Sequence, residues 1–302
     1  MPTAETEEGA RYCLDRVRRF DRDRYLTALF APAARRADLL ALYAFNVEVA
    51  GIRELIREPM MGRVRLQWWR DAIAEIYAGS ERRHQVVGAL AAAVRRRGLT
   101  RHHFDRLLDA REQDMSADAP ADLPALVAYA DATAGSLGLL AVEILGAPGM
   151  PPRASPDVAA AAGAWTAHAL AGLLRAVPYH ARRHRIYLPQ ALLAEHGVAP
   201  HDLLDLRPGP GLPAVARDVA SAAERSLEDA RRVVPRPPRL LASAFLPATL
   251  ARADLAQLRR ANYDLFDPRL TQTGPGRIWR LLWASMRRGW IDTARRSVSS
   301  TP

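Results

Sequence analysis

Apolar residues recur at three- and four-residue spacings from near the N-terminus almost to the C-terminus of this 302-residue chain. That spacing is typical of amphipathic α-helices. Alanine, leucine and arginine dominate, whereas runs of the Val, Ile, Thr and aromatic residues that favour strands are scarce. The sequence therefore predicts an all-α protein.

Segments rich in Gly and Pro divide the periodic pattern into separate helices. The linkers are short, and no repeat or shift in composition divides the chain, which favours one helical domain over residues 1–302. Asp122 and Pro124 resemble an N-cap and a first-turn proline. The predicted helices are 7–20, 22–30, 33–56, 60–78, 83–97, 100–113, 122–145, 155–180, 189–196, 200–205, 211–233, 238–247, 249–261 and 276–292.

The net charge of +10 points to anionic partners, but all 43 basic residues are arginine, which also fits a GC-rich coding bias. No nucleic-acid recognition motif accompanies the charge, so we expect no nucleic acid as partner. Cys13 is the single cysteine and excludes a disulfide framework. The N-terminus has no apolar signal region and no run approaches 18 apolar residues, so a cytoplasmic location is expected.

The C-terminal segment IWRLLWASMRRGW places Trp279, Trp283 and Trp290 at helical spacings with arginines between them. Such a stripe most often packs into the core. A basic, Trp-bearing amphipathic helix also suits a membrane interface. Core packing and peripheral contact with the inner membrane are therefore both kept as interpretations.

Histidine pairs offer weak metal candidates. His102 and His103 are neighbours and point apart on a helix. His180 and His184 have helical spacing, but arginines surround them and Pro178 interrupts the helix. Neither pair predicts a metal site, and no phosphate-binding glycine loop or nucleophile motif is present.

Three blocks, in this order, resemble the squalene/phytoene synthase family. They are ADLLALYAF (37–45), LVAYADATAGSLGLLAVEILG (126–146) and LLRAVPYHARRHRIYLPQALLAEHGV (173–198). The resemblance runs from about residue 12 to residue 290. It implies an isoprenoid-synthase-type helical bundle around a central cavity.

In that family, two aspartate-rich helices bind Mg²⁺ and ionise prenyl diphosphates, which then couple head to head. The first motif is D-D-x-x-D, and here Ala50 and Gly51 replace two aspartates while Glu54 keeps a carboxylate. In the second motif the corresponding positions are Gly172, Ala176 and His180, next to a retained Arg175. Because Mg²⁺ prefers hard oxygen ligands, the usual chemistry is expected to be lost.

A subgroup of the family lacks these motifs and includes a mitochondrial assembly factor for respiratory complex I. LQWWRDAIAEIY (66–77), the ARE-x-D stretch (110–114) and LLRAVPYHA (173–181) resemble it, which implies a bacterial relative and an assembly partner. Glu112 and Asp114 diverge by about 200° on an ideal helix. Their stretch is interpreted either as a solvated helix end or as the mouth of the cavity.

Three functions stay open. The first is a non-catalytic protein with no cofactor that binds an isoprenoid-type ligand and assists complex I assembly. The second is an active prenyl transferase holding isoprenoid diphosphates through Mg²⁺ at Glu54, Glu112 and Asp114. The third, against which the absence of a recognition motif counts, is a nucleic-acid binder. For the binding function, the resemblance and the apolar helices suggest these candidate ligand-binding residues: Tyr43, Tyr129, Arg175, Arg185 and Tyr187.

Overall fold

The computed structural model describes residues 4–56, 58–116, 118–146, 156–270 and 276–287. All regular secondary structure within these ranges is helical, which confirms the predicted fold class. The α-helices are α1 (Ala4–Phe20), α2 (Arg22–Ala28), α3 (Ala33–Leu55), α4 (Pro59–Tyr77), α5 (Gln85–Arg97), α6 (Arg101–Arg111), α7 (Leu123–Ala130), α8 (Ser136–Leu145), α9 (Pro156–Arg175), α10 (Val177–Ala181), α11 (Gln190–Glu195), α12 (Pro200–Leu204), α13 (Leu212–Val233), α14 (Ala242–Arg260) and α15 (Gly276–Arg287).

Helix α9 forms the centre of the fold and packs against α13, α14 and α8. Its Trp165 is fully buried, and the indole N–H donates to the carbonyl of Ala244 in α14 at 2.8 Å. The indole ring lies 5.8 Å from the ring of Tyr43 in α3. A Cβ at Gly138 would lie 2.6 Å from the indole, so this glycine allows α8 to approach α9.

The predicted helix 122–145 is interrupted by a π turn at Asp131–Gly135, one residue after α7. The Asp122 side chain accepts the Ala125 N–H at 2.8 Å, which confirms the predicted N-cap. The Thr133 hydroxyl donates to the carbonyl of Tyr129 at 2.7 Å, within the turn that leads into the π segment. Such turns often lie beside functional sites, and this one begins two residues after Tyr129.

One helical stretch in the described ranges, Leu123–Leu145, is long and apolar enough to cross a membrane by length and composition. Its most apolar window is 67% buried within the fold. Leu137, Leu140 and Ile144 on this stretch are fully buried. The apolar composition of Leu123–Leu145 is therefore explained by its packing inside the fold.

Prolines had opposite effects in two predicted helices. Helix α9 ends at Arg175 and α10 begins at Val177, with Pro178 in its first turn, so the expected break is confirmed. The predicted break between 247 and 249 is wrong, because α14 continues through Pro247. The proline costs about 3 kcal/mol in a helix interior, but Pro247 is buried where α14 packs against α9 and α15.

Helix α15 exposes most of its apolar residues. Only Leu281 and Ala284 are buried; they contact Leu246 and Leu250 of α14. Core packing is therefore wrong for the rest of the stripe, and Trp290 lies outside the described residues. The exposed residues are Ile278, Trp279, Leu282, Trp283 and Met286.

Candidate functional site

Two adjoining cavities lie between the end of α3, the turn after α6, and helices α7, α9 and α10. The first, here called the arginine cavity, has a volume of about 510 Å³. The second, the adjoining cavity, has a volume of about 750 Å³ and is also lined by α2 and α15. The two share Arg111, Tyr129, Leu173 and His180. The lining of the arginine cavity is Ala50, Arg53, Glu54, Ile56, Arg111, Asp114, Tyr129, Leu173, His180, Arg183, His184, Arg185 and Tyr187.

A buried carboxylate, Asp114, organises one wall of the arginine cavity. The hydroxyls of Tyr129 and Tyr187 both donate to its Oδ1, at 2.8 and 3.0 Å. Arg111 donates from Nη1 to Oδ2 at 3.1 Å, and Arg185 donates to the Asp114 carbonyl. Both carboxylate oxygens are therefore engaged, and the carboxylate holds three cavity side chains in place.

The polar groups around Asp114 are held in fixed protonation states. Burial raises the pKa of Tyr129 and of Tyr187, so both hydroxyls remain donors at neutral pH. Burial and Arg185 lower the pKa of His180 to about 4, so its imidazole is neutral. The His180 ring packs 4.7 Å from the Tyr187 ring. This wall thus presents neutral tyrosine hydroxyls, whose protons are directed to Asp114, and arginine cations.

The acidic stretch ARE-x-D divides between two environments. Asp114 is 3% exposed, so the interpretation as a solvated helix end is wrong for this residue. Its side chain lies in the cavity because the helix gives way to a 3-10 turn at Glu112–Met115. Glu112 is half exposed and pairs with Arg70 at 2.8 Å, away from the cavity lining. A shared metal site for these two carboxylates therefore has no support in the geometry.

Glu54 lies at the rim of the arginine cavity. Its Oε1 accepts the Tyr179 hydroxyl at 2.9 Å, and Oε2 lies 3.5 Å from Nη1 of Arg183. The side chain is half exposed. Glu54 is thus neutralised by an arginine at the surface.

Arg175 lies on the adjoining cavity, in a network of two arginines and two aspartates. It lies 3.0 Å from Asp254 and 3.6 Å from Asp23, and Arg277 of α15 contacts both carboxylates. Burial raises the pKa of Asp254. The network ties α2, α9, α14 and α15 together. Arg175 lines only the adjoining cavity, whereas Tyr187 and Arg185 line the arginine cavity.

Tyr43 does not join the predicted ligand group. It is 1% exposed, and its ring packs against Trp165 inside the core. Tyr43 lines neither the arginine cavity nor the adjoining cavity. The candidate ligand-binding residues that the fold brings together are Tyr129, Arg185 and Tyr187.

The residues at the two motif positions do not fit Mg²⁺. Ala50 and Gly172 offer no ligand oxygen, His180 offers a nitrogen, and Glu54 is already paired with Arg183. In the described ranges, no three Asp, Glu, His or Cys residues are grouped closely enough to hold a metal ion. Mg²⁺ requires several oxygen ligands, and four arginines line the same cavity.

Sequence reasoning missed Arg53, Arg111 and Arg183 as cavity residues. Arg53 stands directly before Glu54, and Arg111 stands three residues before Asp114 on the same helical turn. That i,i+3 spacing was the available signal for a charge pair. Because the chain has 43 arginines, an arginine three residues before an acidic residue did not single out this pair.

Comparison with known proteins agrees with this architecture. The family model for squalene/phytoene synthase matches residues 17–277. Assembly factor 6 of NADH dehydrogenase (ubiquinone) complex I from Bos taurus is 34% identical over 261 residues, covering 86% of this chain and 77% of the relative. A presqualene diphosphate synthase of Rhodopseudomonas palustris is 28% identical over 221 residues, covering 73% and 77% of the two chains.

A crystal structure of a dehydrosqualene synthase with ligand superposes with a TM-score of 0.80 at 21% identity, covering 94% of this chain and 97% of that one. This likeness establishes the isoprenoid synthase fold. The chain therefore belongs to the squalene/phytoene synthase family. Among the relatives compared, the complex I assembly factor is more similar in sequence than the enzyme.

Proposed function

We propose that this chain acts by binding rather than by catalysis, as a factor in the assembly of respiratory complex I. The identity to the bovine assembly factor extends over 86% of the chain, which supports a shared role. A membrane-arm or cofactor-bearing part of the complex is the proposed partner. The proposal includes no metal cofactor.

The observation that carries the proposal is the chemistry of the two motif positions. Ala50, Gly51, Gly172 and Ala176 stand where the family's enzymes hold diphosphate through carboxylates and Mg²⁺. Loss of such a metal site removes several kcal/mol of transition-state stabilisation from a leaving diphosphate. The alternative, an active prenyl transferase, would have to rebuild the site around Glu54 and Asp114, which are already paired with Arg183 and Arg111.

The two adjoining cavities support an isoprenoid-type ligand with a polar head. The Arg185 guanidinium presents donors in the arginine cavity, beside the hydroxyls of Tyr129 and Tyr187, whose protons are directed to Asp114. Leu173 lines both cavities and offers an apolar path between them. The lining of the adjoining cavity is partly polar and partly apolar, because charged residues of α2 line it together with Leu26.

The exposed face of α15 supports peripheral contact with the inner membrane. Trp279 and Trp283 are 68% and 47% exposed, and the Arg287 guanidinium lies 4.1 Å from the Trp283 ring. Tryptophan with flanking arginine favours the interface of an anionic bilayer. We propose a cytoplasmic protein that reaches this surface through α15.

Deletion of the gene in its host tests the assembly role. We expect the amount of fully assembled complex I, measured by native electrophoresis and NADH oxidation, to fall in the deletion strain. Re-expression of the wild-type chain should restore both. An unchanged amount of assembled complex would refute the proposal.

A further inference from the structure

The lining of the arginine cavity carries an excess of positive charge. Four arginines line it against two carboxylates, Glu54 and Asp114. His180 adds no charge at neutral pH, because burial and Arg185 hold its pKa at about 4. Tyr129 and Tyr187 are protonated for the same reason of burial.

Both carboxylates are already paired with other arginines. Glu54 accepts from Tyr179 and pairs with Arg183, and Asp114 is bound by Arg111 and the two tyrosines. Among the described residues no carboxylate lies within ion-pair distance of the two remaining arginines. Those two cations are Arg53 and Arg185.

Arg53 and Arg185 are positioned rather than freely solvated. Arg53 donates from Nη1 to the Ile56 carbonyl at 3.3 Å, and Arg185 donates to the Asp114 carbonyl. The Arg185 guanidinium also stacks 5.1 Å above the Tyr187 ring. Two half-buried guanidinium groups are thus held on the lining of one cavity.

Two guanidinium N–H groups in this lining are buried without an acceptor. The Nε atoms of Arg53 and Arg111 have no hydrogen-bond partner among the described residues. A buried donor without a partner is costly. The guanidinium groups of Arg53 and Arg111 are therefore not fully paired by the protein.

We propose that the arginine cavity binds a phosphate-type head group directly, without a divalent cation, through Arg53 and Arg185. Guanidinium groups bind phosphate oxygens in a bidentate manner and need no metal bridge. The inference rests on the proposed function, in which this cavity holds the polar head of an amphiphile. In this site the positive charge of the arginines would hold the phosphate, whereas the expected metal site would hold it through carboxylates and Mg²⁺.

Calorimetric binding to the full-length protein tests the inference, with inorganic pyrophosphate and farnesyl diphosphate as probes. Each titration is run in EDTA and in Mg²⁺. We expect binding in EDTA to be at least as tight as in Mg²⁺. Arg53→Gln and Arg185→Gln should each weaken it about tenfold, which equals about 1.4 kcal/mol.

Two control variants separate charge at the site from general effects. Arg53→Lys keeps the point charge and should recover part of the lost affinity. Arg232→Gln removes an exposed arginine of α13 that pairs with Asp229, and should leave binding unchanged. Thermal unfolding of every variant verifies that each is folded.

The comparison of probes identifies the source of the phosphate. Tighter binding of farnesyl diphosphate than of pyrophosphate supports a lipid head group, and equal binding supports a free diphosphate. Binding that requires Mg²⁺, affinities unaffected by Arg53→Gln and Arg185→Gln, or no binding of either probe would overturn the inference. The assembly role is judged separately by the deletion strain and would survive any of these results.

Discussion

Replacement of Asp114 by asparagine tests whether this carboxylate holds the site together. The side chain is 4% exposed and its partner Arg111 is 17% exposed. Asparagine can still accept the hydroxyls of Tyr129 and Tyr187, but it leaves the Arg111 guanidinium buried without its counter-charge. Removing one partner of a buried ion pair costs about 3–5 kcal/mol, and we expect the free energy of unfolding to fall by that amount.

Urea denaturation followed by circular dichroism measures this loss. The matched control is Glu112→Gln, which removes a half-exposed carboxylate two residues away that pairs with Arg70. A surface pair contributes about 0–1 kcal/mol, so the control should unfold close to wild type.

The double variant Asp114→Leu/Arg111→Met, compared with its two single variants, measures the interaction between the two side chains. Because it removes both charges, it should be less destabilised than the Asp114→Leu single variant. A loss below about 1 kcal/mol for Asp114→Asn would contradict the stated organising role. Such a small loss would mean that the Asp114 carboxylate is not needed for stability and is available for a catalytic role.

Three further perturbations have defined outcomes. Gly138→Ala should destabilise by about 1–3 kcal/mol in urea unfolding, because its Cβ would lie 2.6 Å from Trp165. Burial and Arg24 lower the pKa of His168 to about 3, so only the unfolded chain takes up this proton between about pH 6.5 and pH 3. His168 alone then contributes a loss of about 1.4 kcal/mol of stability per pH unit of acidification, and His168→Gln should reduce the slope by that amount. Trp279→Ser should weaken cosedimentation with phosphatidylglycerol vesicles at least tenfold.

Controls for these perturbations use comparable positions elsewhere. Gly88→Ala lies in α5 with no atom within 4 Å of the added Cβ, so it should stabilise by up to about 1 kcal/mol. Equal effects of the two glycine variants would contradict the packing argument. A wild-type pH slope in His168→Gln would show that this histidine is not the source. Val233→Ser, an exposed apolar residue of α13, should leave vesicle binding intact.

Local signals predicted the helices well. Periodicity located α1 to α6 and α11 to α13 to within about three residues at each end, but it merged α7 with α8 and α9 with α10. Pro178 was recognised as a break because a proline removes a helix hydrogen bond. The same logic failed at Pro247, where burial between neighbouring helices outweighs the local cost. Tertiary packing, which no local pattern encodes, decided between the two prolines.

The candidate site was predicted only in part. Tyr129, Tyr187 and Arg185 meet around Asp114, but Tyr43 packs on Trp165 and Arg175 belongs to the network with Asp254. These differences depend on contacts between residues far apart in the sequence. The burial of Asp114 likewise follows from a single 3-10 turn that helical periodicity does not reveal.

We infer that the chain binds its ligand without catalysing diphosphate loss. Purified protein incubated with farnesyl diphosphate and Mg²⁺ tests it most directly, with released diphosphate measured against an active dehydrosqualene synthase as positive control. We expect release no higher than in the protein-free reaction. Release that depends on Mg²⁺ and disappears in Glu54→Gln would contradict it and establish a working metal site at the rim of the arginine cavity.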